Sequence, residues 1–161
     1  MFRPLSGEEM MKAIPDAKLI TYHDLKRKRK IDGVVPKRKP VILLYPQVET
    51  KDMISGHWVC MFRNGQGLNY FDSYGNQPDE FWKKDPKLVK LLLTCKGPME
   101  YNENKYQGKN SEVCGRYCIL RLLYQDLANN EFKSLMDLGK KKYGSYDNAV
   151  LKLTESLACL K

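Results

Sequence analysis

A polar loop that ends in a cysteine is the first stretch of this sequence that could do chemistry. Residues 107–115 read QGKNSEVCG, and the chain then turns apolar as RYCILRLLY. We expect a helix to begin at Cys114, because the pattern changes from polar to apolar there. The unpaired N–H groups and the dipole at a helix start favour a negative charge, and hence the nucleophilic thiolate. A buried structural cysteine is the alternative interpretation.

A histidine and an aspartate can approach each other across a hairpin. Residues 57–63 and 68–74 alternate as strands and are separated by Asn-Gly-Gln-Gly, a tight-turn sequence. His57 begins the first strand and Asp72 lies near the end of the second, so the two side chains are expected side by side. A carboxylate in that position orients an imidazole that acts as a base. Alternatively, both are ordinary residues at strand ends.

Gln107 and two glycines complete the candidate site. A side-chain amide ahead of the nucleophile can donate a hydrogen bond to a developing oxyanion, together with the backbone N–H of Cys114. Gly108 would let the chain pass close to a ligand, and Gly115 would leave the sulfur uncrowded. Gln107 as a simple loop cap is the alternative. The combination of His57, Asp72, Gln107 and Cys114 is much less expected by coincidence than any one of these residues alone.

The elements that must position these residues predict an α+β domain. Helices are expected at 6–15, at 78–94 with a break at Pro86, at 113–128 as the central helix, and at 131–142 and 147–159. Strands are expected at 40–46, in the hairpin and at 98–107. Segregated helices around a small, mostly antiparallel sheet indicate the α+β class. We expect one domain over residues 1–161.

Composition excludes several classes of protein. The sequence contains no apolar run of the ~18 residues that a membrane span needs and no signal-peptide core, so we expect an intracellular protein that is not secreted. Its five cysteines contain no CxxC pair, and there are only two histidines. We therefore expect no metal and no disulfide framework.

The net charge of +9 is concentrated in one segment, LKRKRKIDGVVPKRK. We call its cations the basic segment: Lys26, Arg27, Lys28, Arg29, Lys30, Lys37, Arg38 and Lys39. Such a block is often a solvated loop, but it also suits contact with nucleic-acid phosphates. A nuclear-import signal would have the same appearance.

The strings GHWVCMFRNGQGLNYFDSYG and QGKNSEVCGRYC resemble the adenain-like cysteine proteases of adenoviruses, giant viruses and virophages. SUMO-deconjugating proteases belong to the same clan. The resemblance covers roughly residues 40–125 and implies His57 as general base, Asp72 as its orienting acid, Cys114 as nucleophile and Gln107 as oxyanion donor. It also implies an adenain-like fold, in which the ring of Trp58 walls the cleft.

The chain departs from adenoviral enzymes at two positions. Asp72 replaces their glutamate, as in the SUMO proteases, and Lys109 replaces a proline in the loop before the nucleophile. With the first change the set of His57, Asp72 and Cys114 is still complete, but the branch of the clan to which the chain would be assigned becomes less distinct.

The resemblance implies a viral endopeptidase that cleaves capsid and core precursors near glycine-containing sites during virion maturation. Such an enzyme needs no cofactor, although viral DNA or a viral peptide, the latter through Cys95, would stimulate it. It would be a monomer located in the virion and the host-cell interior. The alternatives are a deubiquitinase or SUMO-type isopeptidase acting on host conjugates, and a basic nucleic-acid-binding module without catalysis.

Overall fold

A five-stranded sheet forms the centre of the computed structural model, which describes residues 3–50, 53–82 and 84–157. The strands lie in chain order: β1 Lys18–Thr21, β2 Val41–Thr50, β3 Met53–Asn64, β4 Gly67–Phe71 and β5 Met99–Tyr101. The two central pairings, β2–β3 and β3–β4, are antiparallel, whereas each edge strand pairs in parallel with its neighbour. The class is α+β, as expected; the sheet is mixed, with its longest pairings antiparallel and two short parallel pairings at its edges, which were not expected. The sheet is mixed because long crossovers, residues 22–40 and 72–98, bring in the edge pairings.

Five α-helices accompany the sheet: α1 Gly7–Ala13, α2 Lys87–Leu92, α3 Cys114–Leu123, α4 Asn129–Tyr143 and α5 Tyr146–Thr154. Two short 3₁₀ helices, Tyr22–Arg27 and Ile31–Gly33, run through the basic segment. The helix expected at 78–94 forms only over α2, and the strand expected at 98–107 only over β5. The end of the helix expected at 147–159 falls partly outside the described residues.

Asp79 explains why the helix does not begin earlier. Its backbone has a φ of 59°, which no α-helix accepts. Its carboxylate accepts hydrogen bonds from Tyr45 Oη at 2.8 Å and from the Val89 N–H at 2.8 Å. Since these contacts are distant in sequence, the local helical pattern gave no sign of them.

The hairpin between β3 and β4 depends on Gly67. This residue has a φ of 98°, and its partner across the turn is Asn64. A Cβ at this position would overlap the carbonyl oxygen of Pro98, which accepts a hydrogen bond from the Leu68 N–H at 3.0 Å. The glycine therefore permits both the turn and the parallel approach of the segment leading to β5.

Apolar side chains cover both faces of the sheet. One core contains α3 together with residues from α1, α4 and α5, and the other contains the 3₁₀ helices and α2. Arg121 of α3 is fully buried, with its guanidinium 4.7 Å from the ring centre of Phe62 and 4.8 Å from that of Phe132. It donates to the carbonyl groups of Tyr124 and Leu127, so it closes the end of α3. Helix α3 is thereby held rigidly against β3.

Candidate active site

His57 and Asp72 meet at the end of the hairpin. The register pairs Cys60 with Phe71, so the chain leaving β4 returns beside His57 in β3. His57 Nε2 lies 2.7 Å from Asp72 Oδ1, and both side chains are buried. Asp72 Oδ1 also accepts the Tyr74 N–H at 2.8 Å. The carboxylate is therefore held in place by the chain that follows it.

Cys114 is the first residue of α3 and is 6% exposed. The backbone N–H of Trp58 donates to Cys114 Sγ at 3.5 Å. Such a donor, together with the helix start, stabilises a thiolate. Because Nε2 of His57 is engaged by Asp72, Nδ1 is the ring nitrogen left to face the sulfur.

The pKa of His57 is raised to about 9. Burial of the ring by itself lowers this pKa, but the hydrogen bond to Asp72, the hydrogen bond with Cys114 and the negative charges of both partners raise it by more. The imidazole is therefore protonated at neutral pH. An imidazolium beside a thiolate is a pair equipped for nucleophilic attack followed by proton donation.

Gln107 is buried, and its amide group is held at both ends. Ser73 Oγ donates to Gln107 Oε1 at 2.6 Å, and Gln107 Nε2 donates to the Ser111 carbonyl at 2.7 Å. A primary amide has two N–H donors, so one remains beyond the bond to Ser111. The Cys114 N–H lies in the first turn of α3, where an intrahelical acceptor is lacking. These are the two donors that an oxyanion site requires.

The three residues expected to bind substrate are positioned differently. A Cβ added to Gly115 would lie 3.2 Å from Met10 Sδ and 3.5 Å from Trp58 Cδ1, so this glycine permits close packing of α3. The Gly108 N–H donates to Asp147 at 3.1 Å, and a Cβ there would lie 2.9 Å from that carboxylate. The Trp58 side chain is buried in the core, and its backbone is what contacts the sulfur. The contacts of Trp58, Gly108 and Gly115 with a substrate stay predictions.

Several residues that support the site were missed by the sequence analysis. Asn102 exchanges two hydrogen bonds with the backbone of Asp72, at 2.8 and 2.6 Å. Ser73 holds Gln107, and the ring of Tyr74 lies 4.9 Å from that of His57. Ser73 and Tyr74 directly follow Asp72, which was an available signal. Asn102 follows the last residue of β5, and nothing local marks it.

The basic segment comprises the two 3₁₀ helices and the turn that leads into β2. Seven of its eight cations are exposed and Lys28 is partly so. The acid within the segment, Asp32, pairs instead with Arg63 at 2.8 Å. Within the described ranges, none of the eight cations forms an ion pair.

Over residues 3–50, 53–82 and 84–157, no group of three or more His, Cys, Asp or Glu side chains is arranged to hold a metal ion. In the same part of the chain, no helix has the length and apolar character needed to cross a bilayer.

Comparison with known proteins gives one informative relative. No family model matches the chain. The uncharacterized protein V9 of Sputnik virophage is 34% identical over 136 residues, covering 75% of this chain and 75% of the relative. That similarity extends over most of both chains and gives this protein a viral relative. The chain belongs to the same family as virophage protein V9.

Proposed function

We propose that this protein is a cysteine endopeptidase with His57, Asp72, Cys114 and Gln107 in its active site. The observation that carries the proposal is the position of His57: its ring is hydrogen-bonded to Asp72 at 2.7 Å, and the backbone N–H of the next residue, Trp58, contacts the sulfur of Cys114 at 3.5 Å. These side chains come from β3, from the end of β4 and from the start of α3. An acid, a base and a nucleophile in one line constitute the machinery of acyl transfer.

The reaction begins with the Cys114 thiolate. It attacks the scissile carbonyl carbon, a C–S bond forms, and the carbonyl oxygen becomes an oxyanion that accepts hydrogen bonds from Gln107 and from the Cys114 N–H. His57 then gives its proton to the leaving nitrogen as the C–N bond breaks. In the second half, His57 takes a proton from water, the hydroxide attacks the thioester, and the thiolate leaves. Asp72 stabilises the imidazolium throughout.

We further propose that the substrates are precursors of viral capsid and core proteins, cut near glycine during maturation in the virion or infected cell. The virophage relative supports a viral setting. The resemblance of the active-site strings to adenain-like proteases supports the reaction class and the adenain-like fold. The isopeptidase alternative shares the same chemistry and differs only in its substrate.

The test has two readouts. Wild type is expected to cut structural precursor proteins from the same genome at specific sites, whereas Cys114→Ala is expected to cut none. Gly-Gly fusions of ubiquitin-like proteins, offered in parallel, identify the isopeptidase alternative if only they are cleaved. Absence of cleavage in every substrate would contradict the endopeptidase.

Alkylation gives the second readout without needing a substrate. Iodoacetamide at neutral pH is expected to label Cys114 first, because a thiolate reacts and a buried thiol does not. Cys118 provides the matched control: it lies one turn later in α3, and burial raises its pKa well above the usual value. Equal labelling of Cys114 and Cys118 in the folded protein would contradict an activated nucleophile.

The exposed basic segment favours a second property, binding to nucleic-acid phosphates independent of base sequence. The observation behind it is the set of eight cations without ion pairs among the described residues. Through this contact the proposed protease would be held on packaged viral DNA.

A further inference from the structure

A cleft of about 530 Å³ opens beside His57, a volume within the range of ligand pockets. His57, Asp72 and Tyr74 form its inner end, and the loop that follows β4 forms much of its wall. In the described part of the chain, Cys114 and Gln107 do not line it. The cleft therefore extends from the imidazole side of the site.

The side on which the cleft lies determines which part of a substrate it can meet. In the proposed reaction the acyl portion is bonded to Cys114, and the leaving nitrogen must receive a proton from His57. A pocket that is lined by the imidazole of His57 and not by Cys114 is thus adjacent to the leaving segment. The residues that follow the scissile bond would pass over it.

The walls of the cleft are aromatic. Tyr45, Trp82 and Phe81 contribute rings, and Phe81 is 82% exposed at the rim. Contiguous apolar surface marks a binding site more often than a single exposed residue does, and Phe81 directly precedes the partly buried Trp82 in the wall of the cleft. The Trp82 ring is supported from behind by Tyr22 at 4.9 Å and by Tyr45 at 6.0 Å.

The charged groups of the cleft do not favour a charged ligand. Both carboxylate oxygens of Asp79 are occupied, by Tyr45 Oη and the Val89 N–H. Asp72 is paired with His57. The remaining charges, Glu80 and Lys105, have opposite signs and are exposed. An apolar side chain can therefore enter without leaving a buried charge unpaired.

From this geometry we propose that the cleft lined by Tyr45, Tyr74, Phe81 and Trp82 binds a large apolar or aromatic side chain in the leaving segment of the polypeptide substrate, at the first or second residue after the scissile bond. The inference rests on the proposed endopeptidase activity, and it names a substrate preference for it. Glycine near the cleavage site would then be confined to the acyl side.

The test varies one substrate position. Peptides that share an acyl segment carry Gly, Ala, Asp, Lys, Leu or Phe directly after the scissile bond, and a second set carries them one residue later. In one of the two sets, Leu and Phe are expected to give a kcat/KM about 10- to 100-fold above Gly, Asp and Lys. Phe81→Ala and Trp82→Ala should remove most of that preference.

Leu138→Ala is the matched control, because Leu138 is an exposed apolar residue of α4 that does not line the cleft. It should retain the wild-type preference. A flat series in both sets, or a preference that survives Phe81→Ala and Trp82→Ala, overturns the assignment.

A binding measurement separates failure of the cleft from failure of the protease. Cys114→Ala protein is titrated by calorimetry with product peptides that carry Phe or Gly at the first residue, and with a second pair that carries them at the second residue. Cleavage without a side-chain preference overturns the cleft alone. Preferential binding of the Phe peptide without cleavage by wild type overturns the endopeptidase and leaves the pocket standing. Neither cleavage nor preferential binding overturns both.

Discussion

At the scale of single residues, His57 carries most of the chemistry of the proposed reaction. Its ring is buried, yet contacts with Asp72 and Cys114 keep it protonated well above the usual pH range of a histidine. The folded protein thus binds a proton that the unfolded chain releases. The same arrangement that holds the proton for the leaving amine also links folding stability to pH.

We predict that the stability contributed by His57 decreases as pH rises. Its pKa is raised from 6.5 to about 9 on folding, so the contribution is complete below pH 6.5 and is lost as pH rises through about 9. Each pKa unit corresponds to about 1.4 kcal/mol, which limits the effect to roughly 3 kcal/mol. Urea unfolding across this range should show the decline in wild type and a flatter profile in His57→Gln. Parallel profiles would contradict the raised pKa.

We predict that Gln107→Ala lowers kcat by about 10²–10³-fold, because an oxyanion donor is removed. It should also lower the free energy of unfolding by about 1–3 kcal/mol, since the hydroxyl of Ser73 and the carbonyl of Ser111 lose their partner. Ser73→Ala is the control, because it removes the hydrogen bond to Gln107 Oε1 but keeps the N–H donor of Gln107. Equal losses of kcat in the two variants would assign Gln107 a purely structural role.

At the scale of elements, the loop before α3 depends on a helix that comes after it. Asp147 of α5 accepts the Gly108 N–H at 3.1 Å and the Tyr117 hydroxyl at 2.8 Å. Helix α5 thereby ties the loop that carries Gln107 to helix α3, which carries the nucleophile. In the proposed reaction Asp147 is a positioning residue, because its contacts reach the site only through the loop and through Tyr117 of α3.

We predict that Asp147→Ala lowers kcat about 10-fold with a small change in KM, because the oxyanion donor is displaced. The measurement is steady-state kinetics together with the midpoint of thermal unfolding. Asp137→Ala is the matched control, since Asp137 accepts the Tyr146 hydroxyl and pairs with Lys133 without touching the loop. If both variants lose stability and kcat alike, Asp147 has no positioning role.

At the scale of the whole molecule, charge is separated from the proposed chemistry. The basic segment occupies the 3₁₀ helices and the turn that leads into β2, whereas the active site lies where β3, β4 and α3 meet. The proposed contact with DNA and the proposed cleavage would therefore use different residues of the chain. The two properties are independently testable for that reason.

We predict that the protein binds duplex DNA of any sequence, with an affinity that falls steeply between about 50 and 200 mM salt. Replacing Lys37, Arg38 and Lys39 by Gln should weaken binding and reduce the salt slope, by about 0.9 for each phosphate that the variant no longer neutralises. Replacing Lys140, Lys141 and Lys142 of α4 removes the same charge elsewhere and is the control. Fluorescence anisotropy measures both. Equal weakening would show that only net charge matters.

The sequence by itself determined the α+β class, the hairpin that brings His57 to Asp72, and the start of α3 at Cys114. These features follow from local periodicity, from turn residues and from the change from a polar loop to an apolar helix. Each of these signals lies within a short stretch of the sequence. Only the tertiary structure decided the parallel edge strands, the shortened α2 and the packing of Gly108, Gly115 and Trp58. Those features depend on partners that are distant in the sequence: Asp79 is bonded by Tyr45, and Gly108 by Asp147. A local sequence pattern does not encode a contact with a residue so far along the chain.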